Sequence, residues 1–265
     1  MTRQFWVSRV VTAGAGLLIA LVSASAPATA NDFRIETRIF VGDQTEPSSE
    51  NLTLFRGGQV YDFMPQADRA TIYDKARGRV ILLNTKDRTK CEMKSEQLFD
   101  FTEDLKTLLG KQTDVLLKFG AEPRFEQSID EATGATVFVS PFMTYKVEGT
   151  KPEGGETLKH YFDFADTSVR LNAMTNPGAL PPFARLSINE SLLKKGVIPT
   201  KVSVMLPPRQ RFGGKTVSLR SDHRIQWRLI ESDQWKIEEA GEYSVTFTAT
   251  KVNEFVPHAD QHAHR

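Results

Sequence analysis

Three histidines close the chain at His258, His262 and His264, spaced four and two residues apart. Imidazoles four apart share one face of a helix and could hold a metal between them. The segment that carries them, residues 258–265, is short, polar and terminal, and reads better as a loose tail. Ser221-Asp222-His223, together with His160, supplies the residue types of a nucleophile, a base and an orienting acid. Such a set is defined by geometry, and no Gly-x-Ser-x-Gly elbow presents the serine. The tripeptide reads instead as a turn between two strands. Neighbouring acids at Glu103-Asp104, Asp130-Glu131 and Glu238-Glu239 fall in expected turns or on a helix surface, where solvated charge is the default. Cys91 lies in an expected strand without a nearby low-pKa context, so it reads as structural. No His-Glu-x-x-His, Gly-x-Gly-x-x-Gly or phosphate-loop motif occurs, so no catalytic residue, metal or cofactor is assigned and a non-enzymatic protein is expected.

The two sequons, Asn51-Leu52-Thr53 and Asn189-Glu190-Ser191, matter only in a eukaryotic secretory pathway. The start of the chain carries an address. Arg3 and Arg9 precede an apolar run from Val10 to Val22, and Ala28-Thr29-Ala30 has the small-x-small form of a signal-peptidase site. The run is shorter than the ~20 residues of a spanning helix. Residues 1–30 are therefore expected to be a cleaved signal, leaving a periplasmic or secreted chain that starts at Asn31 and has no stable membrane insertion. The whole chain has 34 basic and 33 acidic residues, and the signal removes two arginines and no acid. A near-neutral chain has no broad attraction for phosphate backbones, so nucleic acid is excluded as an expected partner. With one cysteine no intrachain disulfide exists, and stability must come from the core.

The elements that position these residues are mostly short extended runs. Phe33 to Val41 alternates as a half-buried strand. Leu52–Phe55 and Val60–Phe63 flank Arg56-Gly57-Gly58-Gln59 as a hairpin, and Ala70–Tyr73 pairs likewise with Arg79–Leu83. Thr89–Met93 follows. The period then changes: Leu98, Phe101, Leu105, Leu108 and Leu109 predict an amphipathic helix capped at Ser95, with a second piece from Asp114 to Lys118. Strands are expected again at 125–129, 136–139 and 143–148, followed by a loop at Gly149–Glu156. Leu158–Phe164 and Ser168–Leu171 read as a hairpin around Ala165-Asp166-Thr167. A second helix is expected from Pro182 to Lys195, ended by Gly196. Strands at 200–206, 216–220, 224–230, 235–238 and 243–252 complete the count. Strand blocks with helices between them mean α+β, a large curled antiparallel sheet or half-barrel with two helical segments on one face. Residues 31–257 form one expected domain.

Thr71-Ile72-Tyr73-Asp74 followed by Gly78-Arg79-Val80-Ile81-Leu82-Leu83 resembles a strand pair of the LolA-like outer-membrane lipoprotein carriers. The order of elements is also similar over most of residues 31–256. The resemblance implies a curved sheet covered by helices around an apolar cavity for acyl chains. No arginine here matches the carriers' gating arginine, so no binding residue is carried over. The expected function is binding of an apolar ligand or an acylated partner. The alternatives are a structural or envelope-interaction module using a sheet edge or the 149–156 loop, and, third, a hydrolase. The chain has 17 Phe, and Phe99, Phe101, Phe119 and Phe125 cluster around the first helix. They either fill the core or line a cavity. If the first helix lies over the concave face, Phe101, Leu105 and Leu108 should meet Phe63, Tyr73 and Leu82 across it.

Overall fold

The computed structural model describes residues 32–152, 154–176, 178–208 and 216–255. The expected signal at 1–30 and the histidine tail at 258–265 lie outside the described residues. The chain is α+β, built on a twelve-stranded sheet that is open rather than closed into a barrel.

The first half follows the expected meander. Strands β1 (Phe33–Val41), β2 (Ser49–Arg56), β3 (Gln59–Met64), β4 (Arg69–Asp74), β5 (Arg79–Asn84) and β6 (Thr89–Lys94) pair antiparallel in sequence order. The β2–β3 turn needs positive φ at both central residues, and Gly57 (φ 56°) and Gly58 (φ 82°) supply it without a Cβ clash. Helices α1 (Ser95–Gly110) and α2 (Val115–Ala121) come next, with Asp114 accepting from the Leu116 and Leu117 amides at 2.8 and 3.1 Å. The sheet resumes with β7 (Glu126–Ile129), β8 (Thr136–Val139) and β9 (Thr144–Thr150).

Two segments depart from the strand reading. The expected hairpin at Leu158–Phe164 and Ser168–Leu171 is one helix, α3 (Gly155–Thr175). Thr157, Tyr161, Phe164, Ser168, Leu171 and Thr175 recur at alternating spacings of four and three, which draws a stripe down one helix face. Aromatic residues and threonine favour strands by propensity, and here the periodicity overrides them. Helix α4 (Phe183–Lys195) ends as expected at Gly196, whose φ is 72°. Strands β10 (Ile198–Leu206) and β11 (Val217–Gln226) follow. Thus Ser221-Asp222-His223 lies mid-strand and is not a turn. The second departure is α5 (Glu231–Thr246), where two strands were expected. Its buried Asp233, Ile237 and Ala240 again repeat at four and three. A two-residue strand, β12 (Thr248–Ala249), pairs parallel to β6 before the short α6 (Val252–Phe255).

The sheet order is β12-β6-β5-β4-β3-β2-β1-β11-β10-β9-β8-β7. Both faces carry a core. On the inner face Phe33, Phe55, Val60, Val80, Leu98, Phe162, Ile188 and Leu192 belong to one buried cluster under α1, α3 and α4. On the outer face Leu54, Tyr61, Ile72, Ile81 and Leu83 pack against Ile237, Ala240 and Phe247. Helix α5 therefore covers the face opposite to the other helices.

A buried ion pair fixes α5. Arg34 Nη1 lies 3.1 Å from an Asp233 carboxylate oxygen, with side chains 8% and 1% exposed. The same carboxylate accepts the Ile230 amide at 2.9 Å, closing the first turn of α5. Arg34 also donates to the part-exposed Glu36 carboxylate at 2.5 Å, so it is Asp233 that is left as an unpaired buried charge when its partner is removed. Arg34→Met is expected to cost about 3–5 kcal/mol, while the double replacement Arg34→Met with Asp233→Leu costs much less. Urea denaturation of the two variants checks this, and equal losses would contradict it.

Candidate functional site

The register of the sheet grades its inner face. One transverse row, Phe33–Phe55–Val60–Tyr73–Val80–Met93, is apolar but for one phenol. Two residues along each strand the next row reads Ile35–Thr53–Asp62–Thr71–Leu82–Cys91. Beyond it, Thr37 faces Asn51, and Met64, Arg69, Asn84 and Thr89 align. Side chains alternate across a strand, so all of these point to the α3 side.

Helix α3 crosses the grade. Over the apolar row it packs directly: Phe164 lies edge-on to Phe55 at 5.8 Å between centroids and 6.3 Å from Tyr73, and Tyr161 lies 6.4 Å from Phe55. Over the polar rows its second half stands off the sheet and leaves a cavity of about 890 Å³. The sheet wall includes Ile39, Ser49, Asn51, Asp62, Met64, Arg69, Thr71, Tyr73 and Val80. The helix wall is Phe164, Thr167, Ser168, Leu171, Asn172 and Thr175. The volume lies within the range of small-molecule sites, and the wall joins an apolar surface to a few converging polar groups.

Asp62 is the wall's acid. One carboxylate oxygen accepts from Thr53 Oγ1 at 2.6 Å and from Asn51 Nδ2 at 2.9 Å. Burial pushes its pKa above the usual 3.8, against the pull of those two hydrogen bonds. Burial also raises the Tyr73 phenol, which hydrogen-bonds Thr167.

A second polar group lies on β11. His223 Nδ1 is 2.9 Å from Thr37 Oγ1 and its Nε2 is 3.1 Å from Ser221 Oγ. Desolvation, with the Arg185 charge adding to it, lowers the His223 pKa to about 4. The structure thus joins Ser221 to His223, but Thr37 takes the place of an orienting acid. Asp222 points to the other face, where it pairs with Arg220 at 3.3 Å. His160 is elsewhere, edge-on to Phe55. These residues do not form a Ser-His-Asp set.

Of the six residues expected in a cavity wall, Tyr73 lines it. Leu82 sits in the next row and lines a small adjoining pocket with Leu171 and Phe255. Phe63 follows Asp62 in the strand and so points to the outer face, under Lys236 at 5.7 Å. The helix assignment is corrected outright: α3, not α1, covers this part of the sheet. Leu105 packs with Leu109, Ala121 and Phe183 away from the cavity, Phe101 is half-buried on α1, and Leu108 is 59% exposed. Phe119 and Phe125 join an aromatic cluster with Phe138, Phe142 and Tyr145 and fill core. Phe99 lies at the surface beneath Arg170.

Sequence reasoning passed over Asn51, Asp62, Arg69 and Thr71. Their signal was present, since an Asp between Tyr61 and Phe63 in an apolar strand must face something polar or be neutralised. Both sequon asparagines are engaged, Asn51 with Asp62 and buried Asn189 with Asp166 at 2.8 Å. Among the described residues no group of His, Cys, Asp and Glu is arranged to hold a metal, and no helix is long and apolar enough to cross a membrane.

His223 and Asp62 give opposite pH slopes. The folded His223 value lies below the unfolded 6.5, so its contribution is lost as pH falls from 6.5 toward about 4. The folded Asp62 value lies above 3.8, so its contribution is lost as pH rises from there. His223→Gln should therefore flatten the acid loss of stability on the order of 3 kcal/mol, and Asp62→Asn should gain stability at pH 7 relative to pH 4. Urea midpoints at several pH values decide this; a His223→Gln curve parallel to the native one would contradict it. No protein-family model matches the chain, and no curated protein matches it.

Proposed function

We propose that the chain is an exported, non-enzymatic binding protein, periplasmic or secreted, that holds an amphiphilic molecule with an acyl-type chain between α3 and the inner face of the sheet. The observation that carries the reading is the cavity itself. It is large, and its wall grades from Tyr73, Val80 and Phe164 to Asn51, Asp62 and Arg69. Such a wall suits a molecule with an apolar end and a polar end. About ten buried methylenes at roughly 0.8 kcal/mol each would support micromolar binding after the costs of association. An acylated protein would present the same chain, so a LolA-like carrier role is one form of this reading. The resemblance of the β4–β5 hairpin supports that form.

Filling the cavity tests the proposal. Ser168→Trp places an indole into the space from the helix wall, and uptake of a fluorescent fatty acid should fall at least tenfold with little change in melting temperature. Leu105→Trp should do the reverse, because it overpacks the cluster of Leu109, Ala121 and Phe183 at about 1–3 kcal/mol. Uptake unchanged in Ser168→Trp would overturn the reading.

A further inference from the structure

We infer that the polar end of this cavity receives an anionic oxygen headgroup on the Arg69 guanidinium, with Asp62 as a proton-bearing neighbour that also hydrogen-bonds it. The inference rests on the binding reading above and names the chemical class of its ligand.

Arg69 is the one basic residue in the cavity wall among the described residues. It makes no ion pair there with any described acid, and its guanidinium rests over the Phe255 ring at 5.7 Å. This contrasts with Arg34, Arg77 and Arg79, each of which holds a carboxylate. A planar guanidinium beside a cavity is suited to a carboxylate or phosphate, which it bonds through two parallel N–H groups. Asp62 stands nearby on the same face, since Met64 pairs with Arg69 and Asp62 with Thr71.

An ionised Asp62 would repel such a ligand. Among the described residues, the hydrogen bonds it accepts, from Thr53 and Asn51, all go to one oxygen. The other oxygen is therefore free to carry a proton and to donate it toward the headgroup. Burial already favours the protonated form. The titratable or charged groups that line the cavity from the sheet are Asp62, Arg69 and Tyr73, and α3 contributes Phe164, Thr167, Ser168, Leu171, Asn172 and Thr175, none of them charged. An anion binds best beside protonated Asp62 and draws a proton onto it wherever rising pH has ionised it, so affinity for a permanent anion falls as pH rises.

The test is competition against a fluorescent fatty acid by four dodecyl compounds: dodecanoic acid, dodecan-1-ol, dodecyl lysophosphatidic acid and dodecanesulfonate. An anion is expected to displace the probe at about one tenth or less of the alcohol's concentration. Arg69→Gln should abolish that preference without weakening the alcohol, and Arg69→Lys should restore part of it. The tighter of the carboxylate and the phosphate names the source of the headgroup. Dodecanesulfonate keeps its charge at all pH values used, so its affinity should fall from pH 5 to pH 8 in the native protein and stay level in Asp62→Asn. Equal displacement by alcohol and anions, or a pH-independent sulfonate affinity in the native protein, overturns the headgroup assignment and leaves the cavity reading standing. Failure of every dodecyl compound to displace the probe overturns both.

Discussion

Packing a single long helix along a sheet that grades from apolar to polar is the constraint on which the rest of this molecule depends. Where α3 meets the row of Phe55, Val60, Tyr73 and Val80, its aromatic residues close on the sheet and exclude water. Where it reaches Asn51, Asp62, Arg69 and Thr71, close contact would bury polar groups without partners, which costs more than leaving space. The cavity is the physical result of one continuous helix facing two kinds of surface. Its position follows from strand register, because each two-residue step along β2, β3 and β4 moves the wall from apolar to polar.

The opposite face explains why the sheet holds one shape. A sheet this wide presents two surfaces, and the outer one carries an apolar cluster across β2 to β5. Helix α5 covers that area and is held by the Arg34–Asp233 pair. The ordered meander from β1 to β6 is thus packed on both sides, and it is the meander that supplies most of the cavity wall. A site whose side chains come from strands packed on both sides is better held in place than one built on loops.

The class of the fold was legible from alternation and turn chemistry in the first half. Gly57-Gly58 and Gly196 each mark an element boundary for a conformational reason that the structure bears out, whereas the cap expected at Ser95 is not formed: Lys94 precedes the helix, and the buried Ser95 hydroxyl has no partner among the described residues. The second half was harder, since Tyr161, Phe162, Phe164 and Thr167 have strand-forming side chains, as do Trp235, Ile237, Tyr243 and Val245. Their spacing of three and four was the better guide than their type. That one misreading moves the cavity: with α3 read as a hairpin, the cover over the sheet falls to α1, and Phe101, Leu105 and Leu108 are placed on a wall they do not form. Tyr73 was found because its strand was read correctly. Phe63 was misplaced by one residue of alternation, although Asp62 beside it marked which face was polar.

The central claim is that a chain-bearing ligand lies between α3 and the graded rows of the sheet. A crystal structure of the protein grown with dodecanoic acid tests it most directly. The account predicts ordered density for the chain along Tyr73, Val80, Phe164 and Leu171, with its polar end toward Asn51 and Arg69. Density for the chain beside Leu105 and Leu108 on α1, or a cavity filled only by water at saturating ligand, would contradict it.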